Sequence, residues 1–174
     1  MADLREKILG GENALEKLMR KIPGFEGYKN REQTRNADKI QRDFMAKKLR
    51  DEKSRLTDLG QELLRSGNMM LMGDVDRVTK LFDKTMDRIE HAEYGYASLF
   101  AGTKINEAEL DHLYEYDLSL MDNISRVEES VTALEHSIDS EEMDPKKKLK
   151  DVEKTIKAVN ERVDGRQKIL KGVE

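Results

Sequence analysis

The chain has 174 residues, of which 39% are charged and 37% hydrophobic, and it carries a net charge of −4 and no cysteine. This length suits one domain, and the missing cysteine excludes disulfides, thiolate metal sites and a cysteine nucleophile. The apolar fraction favours long helices that each bury one stripe. Since no apolar run approaches the roughly 20 residues of a membrane span, the sequence predicts a cytoplasmic protein.

Five helices are predicted in chain order, and together they form a single all-α domain over residues 1–174, an elongated antiparallel helical bundle. The first is a short helix near residues 3–21. It ends before Pro23, because proline disfavours helix in the residue that precedes it and two glycines follow. The long helices are predicted near residues 30–66, 74–101, 105–139 and 145–171.

The second helix is long but thinly apolar. Between residues 46 and 55 its single large apolar side chain is Leu49. A helix of about 37 residues spans about 55 Å, more than this stripe can bury. Its basic middle is therefore predicted to dock onto an acidic surface, either the chain's own fourth helix or another protein. The candidate partner-binding residues, including two from the preceding loop, are Phe25, Tyr28, Lys47, Lys48 and Arg50.

A methionine-rich segment joins the second and third helices. Met69, Met70 and Met72 surround Leu71 between two glycines. Methionine adapts to irregular surfaces, so these three side chains are candidate contacts for a partner or a membrane interface. The favoured interpretation is a loop that plugs the open end of the bundle.

The fourth and fifth helices each carry a heptad repeat, the strongest pattern in the sequence. In an antiparallel hairpin facing residues have a constant sum of residue numbers, and the apolar pairs here all sum to 283. Asp117 and Arg166, the one polar residue of each stripe, share that sum. The repeats therefore predict a coiled-coil-like hairpin with an ion pair in its seam, which penalises slipped registers more than it stabilises. A catalytic Asp117 with a shifted pKa is the competing interpretation.

Metal binding is the main alternative chemistry. Glu109 and His112 have the Glu-x-x-His spacing of carboxylate-bridged di-iron bundles, and Asp87, Glu90 and His91 on the preceding helix are the possible complement. A ferritin-like metal-binding bundle is thus the alternative function. However, His91 has no Glu-x-x-His of its own, and His112 lies beside the packed stripe. No cofactor is therefore predicted.

Other motifs and the charge pattern argue against catalysis and nucleic-acid binding. The sequence has no Gly-x-Ser-x-Gly elbow and no phosphate-binding loop, so no enzyme is predicted. Residues 105–144 contain thirteen acidic residues and one basic residue, between basic segments at 29–55 and 145–171. These segments could contact nucleic acid or anionic lipid. Packing of the acidic segment between them is favoured, because no aromatic residues interleave the bases for stacking.

Two stretches form recognisable motifs. One is IPGFEGY at residues 22–28, followed by Arg31-Glu32 and Ala37-Asp38-Lys39, and the other is HAEYGYASLF at residues 91–100. Together they resemble an uncharacterised family of prokaryotic all-helical proteins over most of residues 20 to 120. Members of that family tend to be encoded near stomatin- or prohibitin-like membrane-scaffold proteins. The resemblance implies a helical accessory protein, with the cytoplasmic membrane face as one place of action.

The function predicted from these patterns is that of a non-enzymatic helical adaptor or scaffold. Its support is the set of long charged helices and the lack of catalytic motifs. The expected partner is another protein or a second copy of the chain, and peripheral contact with a membrane is a further option.

Overall fold

The structure is a computed structural model that describes residues 13–28, 31–92, 107–138, 140 and 143–170. Within these residues all regular secondary structure is helical, as predicted. None of the described helices combines the length and apolar character that a transmembrane span requires. The elements are α1 (Ala14–Lys21), α2 (Arg31–Arg65), a 3₁₀ turn (Met69–Leu71), α3 (Met72–Glu90), α4 (Glu107–Ile138) and α5 (Pro145–Leu170).

Helices α2 to α5 form a four-helix bundle in which consecutive helices alternate in direction. Helix α2 packs against α3 and α4, α5 packs against the same two helices, and α1 lies on α4. Contacts between Lys48 and Glu128 and between Arg55 and Glu135 show that α2 runs parallel to α4. With 35 residues, α2 is about 52 Å long at 1.5 Å per residue, so the bundle is elongated.

The α4–α5 hairpin has the predicted register. In the six layers from the Leu134–Leu149 pair to the Asp117–Arg166 pair, every residue is buried. Asp117 and Arg166 contact each other directly, which confirms the constant sum of 283 at its polar layer. The two outermost predicted layers depend on Leu170 and Val173 and lie outside the described side chains.

The helix predicted at residues 3–21 is interrupted at Asn13. Asn13 is extended, its side chain accepts a hydrogen bond from Glu16 N, and the Glu16 carboxylate accepts one from Asn13 N. This capping box starts α1 at Ala14, so residues 3–21 are not one helix. Residues 3–12 lie outside the described part of the chain.

The third helix ends earlier than predicted. It stops at Glu90, and His91 and Ala92 are not helical. Its last carbonyls are bound from α2, since Arg42 Nη1 donates to Glu90 O at 2.6 Å and to Ile89 O at 3.4 Å. A cation on the final carbonyls suits a helix C-terminus. The remainder of the predicted helix, residues 93–101, lies outside the described residues.

The Ile22–Tyr28 loop turns its large apolar side chains into the protein, which corrects the assignment of Phe25 and Tyr28 to a partner surface. Phe25 is 2% exposed and Tyr28 is 3% exposed. Their rings meet edge to face at 5.5 Å, and Tyr28 stacks on Tyr114 at 5.4 Å. Tyr28 N also donates to Tyr114 Oη at 2.8 Å. Both candidate residues of the loop are therefore core residues, because the loop's aromatic side chains fold inward onto α4.

Gly27 gives a test of how tightly this loop is held. Its φ is +86°, and a Cβ there would lie 2.9 Å from Leu15 Cδ1, whereas Gly24, at φ +79°, has nothing within 4 Å of its Cβ position. We expect Gly24→Ala to lower the free energy of unfolding by about 1–2 kcal/mol, which is the cost of the left-handed backbone alone. Gly27→Ala should cost clearly more, because Leu15 must also move. Urea unfolding followed by circular dichroism measures both, and equal losses would contradict the packing described.

Candidate functional site

A buried ion pair lies in the seam of the α4–α5 hairpin, as the heptad pattern predicts. Arg166 Nε donates to Asp117 Oδ1 at 2.6 Å, and the Asp117 side chain is fully buried. The two residues are far apart in sequence and come together because the apolar layers on either side set the register. The predicted contact is confirmed.

The ion pair belongs to a larger polar cluster that the heptad pattern does not reveal. Arg166 Nη2 lies 3.1 Å from Tyr28 Oη and 3.2 Å from Asp38 Oδ1, and Asp38 Oδ2 accepts from Arg42 Nε at 2.8 Å. Two carboxylates thus face two guanidiniums, so the cluster carries no formal net charge. Buried charges are tolerated when they are compensated in this way. The described cluster joins the Ile22–Tyr28 loop to α2, α4 and α5.

Tyr28 and Gln41 set the hydrogen-bond pattern inside the cluster. Tyr28 Oη lies 2.7 Å from Asp117 Oδ2 and 2.5 Å from Gln41 Oε1, yet it has one proton to donate. The carboxylate is the stronger acceptor because it is charged. A half-turn of the Gln41 amide about its terminal bond lets Nε2 donate to the phenol oxygen instead. The phenol then donates to Asp117 and accepts from Gln41, while Gln41 Oε1 takes the buried position in which Nε2 has no hydrogen-bond partner.

The space beside the cluster is small and mostly apolar. A cavity of about 20 Å³ adjoins Gln41, Arg42 and Arg166 and is otherwise lined largely by apolar side chains. This is room for about one water molecule. Asp117 is bound by an arginine and a tyrosine, and no substrate could reach it without opening the bundle. The geometry therefore favours a structural Asp117 over a catalytic one.

The candidate metal ligands are only partly brought together. Ligand atoms of Asp87, Glu90 and His91 lie within 4.8 Å of one another near the end of α3. Glu90 Oε1, however, accepts from Arg50 Nη2 at 2.5 Å. His112 is exposed on α4, and the Glu109 side chain lies outside the described ones. A ferritin-like centre needs ligands that project into the bundle, and the described residues do not form one.

The basic middle of α2 docks onto the chain's own helices. Lys48 and Arg55 pair with α4, while Arg50 and Lys53 pair with Glu90 and Asp83 of α3. Between the basic residues that reach α4 and those that reach α3, the segment is buried through Ala46, Leu49 and Glu52. The expectation that the middle of α2 is unburied is thus wrong. The acidic surface on which it docks belongs to the chain's own helices. Lys47 remains exposed.

The methionine-rich segment both plugs the bundle and projects from it. Leu71 is buried and Met72 packs against the core. Met69 is 67% exposed, Met70 is 93% exposed, and Leu64 on the last turn of α2 is 49% exposed. Leu64, Met69 and Met70 form the exposed apolar surface that we call the methionine end.

The fold places the protein in the class of up-down-up-down four-helix bundles, here with a short additional helix on α4. Comparisons with models of protein families, with curated proteins and with solved structures give no match.

The buried pair can be tested by a double-mutant cycle. Asp117→Leu leaves two guanidiniums facing one carboxylate, and Arg166→Leu leaves the reverse, so each should cost about 3–5 kcal/mol. The double variant should cost less than the sum of the two single losses, because it removes one positive and one negative charge together. The Tyr28–Gln41 and Asp38–Arg42 contacts remain. Urea unfolding measures the coupling. The exposed Lys48–Glu128 pair is the control and should couple by less than about 1 kcal/mol. Additive losses at the buried pair would contradict the cluster.

Glu52 allows a test by pH. Burial raises the pKa of this carboxyl above its ordinary value, Arg55 opposes the rise and Glu128 adds to it. A carboxyl with a higher pKa in the folded state takes up a proton on folding, so its contribution to stability falls as pH rises through the folded pKa. Each unit of pKa difference is worth about 1.4 kcal/mol. Glu52→Gln should therefore gain stability relative to wild type as pH rises from the ordinary carboxyl pKa through the raised pKa of the folded state. Exposed Glu62→Gln is the control. A stability difference between Glu52→Gln and wild type that varies with pH no more than the control's would refute this.

Proposed function

We propose that the protein is a non-enzymatic helical adaptor or scaffold that mediates protein–protein interaction through its methionine end. The observation that carries the proposal is the exposure of Met69 and Met70 side by side on one turn. Methionine is enriched in protein interfaces, and its flexible side chain fits irregular partner surfaces.

The local backbone supports a binding role because it holds the two methionines in a defined place. Helix α2 ends in a Schellman motif, in which Asn68 N donates to Leu63 O at 2.9 Å and Gly67 N donates to Leu64 O at 3.2 Å. Gly67 supplies the left-handed conformation, with φ at +86°. Leu71 then anchors the turn in the core. The exposed side chains thus project from a short, hydrogen-bonded turn, which lowers the entropy lost on binding.

The pairing of charges also supports an adaptor. The basic middle of α2 is matched to acidic residues of α3 and α4, so it is not the most available surface for a partner. The buried acids Asp38 and Asp117 bind arginines, and His91, His112 and His136 are exposed. The proposed place of action is the cytoplasm. The resemblance to a family linked to membrane scaffolds adds the membrane face as a candidate location.

Capture experiments test the proposal. The tagged protein, a Met69→Glu/Met70→Glu variant and a Met19→Glu control are used as bait in a lysate of the organism that encodes the chain. Met19 is 45% exposed on α1 and so gives a matched loss of an exposed methionine. We expect the wild type and the control to capture the same proteins. The double variant should capture each of them in at least tenfold lower amount, because a charge is costly in an apolar contact. Circular dichroism confirms that helicity is kept. Capture that is the same for all three baits would overturn the proposal.

A further inference from the structure

The first half of α5 carries a row of exposed lysines. Lys147, Lys150 and Lys154 are spaced by three and four residues and so share one helix face, and Lys146 lies beside them. All four are exposed, and none of their ammonium groups forms an ion pair or hydrogen bond in the described part of the chain. We call these four residues the lysine stripe.

The lysine stripe is electrostatically unfavourable where it stands. Like charges at i and i+4, such as Lys150 and Lys154, destabilise a helix. Cations at a helix N-terminus also oppose the helix dipole, and the first turn of α5 contains no acidic residue. Asp151 and Glu153 stand three or four residues from members of the stripe, but these carboxylates pair with Lys148 and with Arg77 and Lys157 instead. An external anion would therefore relieve the repulsion at the stripe.

The lysine stripe and the methionine end lie at the same end of the bundle. Arg77 of α3 pairs with Glu153 of α5 at 3.0 Å. Farther along both helices, Arg88 contacts Asn160, so the two helices run in parallel. Met70 precedes Arg77 by seven residues, and Lys146 precedes Glu153 by seven. Met70 and Lys146 therefore lie at similar heights along the bundle axis. Met143, just before α5, adds another exposed methionine. Lysines and exposed methionines thus meet at one end.

We propose that the lysine stripe and the methionine end together bind an acidic amphipathic α-helix of a partner protein. This inference rests on the proposed adaptor function and names the chemistry of its partner. Carboxylates at i, i+3 or i+4, and i+7 on a facing helix match Lys147, Lys150 and Lys154, which span about 10 Å. Apolar residues at one end of that helix meet Met69 and Met70.

The bundle already uses this mode of recognition internally. Lys48 and Arg55 of α2 are seven residues apart and face Glu128 and Glu135 of α4, which have the same separation. Two parallel helices thus pair basic with acidic residues at a heptad repeat. A partner helix on the lysine stripe repeats this arrangement on the outside of the bundle.

The surrounding sequence favours a helix over a more extended polyanion. A bilayer or a nucleic-acid duplex extends past the stripe, so the exposed carboxylate of Asp144 just before α5 would repel it. No exposed aromatic side chain lies in the described part of the stripe to stack on bases. A helix laid along α5 can contact the lysines alone.

Fluorescence anisotropy tests the inference. The probe is a labelled synthetic helix of about 20 residues, long enough to be helical, with glutamates along one face and leucines at one end of that face. A second peptide has lysine in place of each glutamate. Binding is measured at physiological salt for the wild type, for Lys147→Glu/Lys150→Glu/Lys154→Glu and for Lys39→Glu/Lys47→Glu/Lys84→Glu. The control changes the net charge equally at exposed lysines elsewhere.

We expect the wild type and the control to bind the acidic helix, and the stripe variant to bind it at least tenfold more weakly. The lysine peptide should not bind, and Met69→Glu/Met70→Glu should also weaken binding. Equal weakening in both triple variants would overturn the inference, as would binding to phosphatidylglycerol vesicles or duplex DNA without binding to the acidic helix. If the stripe variant does not fold, the same lysines changed to glutamine replace it.

The two proposals fail in different ways. Lysate capture that depends on Met69 and Met70 but not on the lysine stripe would leave the adaptor function standing and refute the acidic helix as its partner. Acidic-helix binding that depends on the stripe, with lysate capture unchanged by the methionine substitutions, would refute the methionine end as the adaptor surface.

Discussion

The contact on which the rest of the structure depends is a single guanidinium shared by two buried carboxylates. Arg166 reaches Asp117 on α4 and Asp38 on α2, and Tyr28 brings the loop into the same cluster. Each charge is compensated only when all of these elements are in place, because a buried charge without a partner costs several kcal/mol, about 3–5. The heptad layers supply most of the burial in the hairpin. The cluster determines that α2 packs beside the α4–α5 hairpin, and it sets the position of α2 along the bundle axis.

The charges on the sides of the bundle have a different role. Pairs such as Lys48–Glu128 and Arg50–Glu90 are largely exposed, so each adds little stability. They do explain why the sequence separates a strongly acidic segment from two basic ones. The acidic α4 lies between the basic α2 and the basic α5, and wrong neighbours would place like charges together. The lysine stripe departs from this pattern, since its ammonium groups form no ion pair within the described residues, where the neighbouring Asp151 and Glu153 bind other side chains.

The hairpin could be predicted from the sequence because its information is periodic and local to two helices. Asp117 and Arg166 stand out as polar residues in otherwise apolar stripes. The burial of α2 could not be read in the same way, because Ala46 and Glu52 do not register as apolar positions although both are buried. The burial of Phe25 and Tyr28 could not be predicted from the sequence either, because it depends on the two glycines of the loop and on partners in distant helices. The Asn13–Glu16 capping box was visible in the sequence and marks the true start of α1.

The cluster also bears on the order in which the chain can fold during synthesis. Asp38 and Arg42 lie one helical turn apart and can pair as soon as α2 forms. Tyr28 and Arg166 are separated by 138 residues, so their contact closes almost the whole chain. Contacts of such long range form slowly, and on a ribosome they must wait until the last helix has emerged. Until then Asp38, Asp117 and Tyr28 can stay hydrated, so the nascent bundle has little reason to close early around the wrong neighbour.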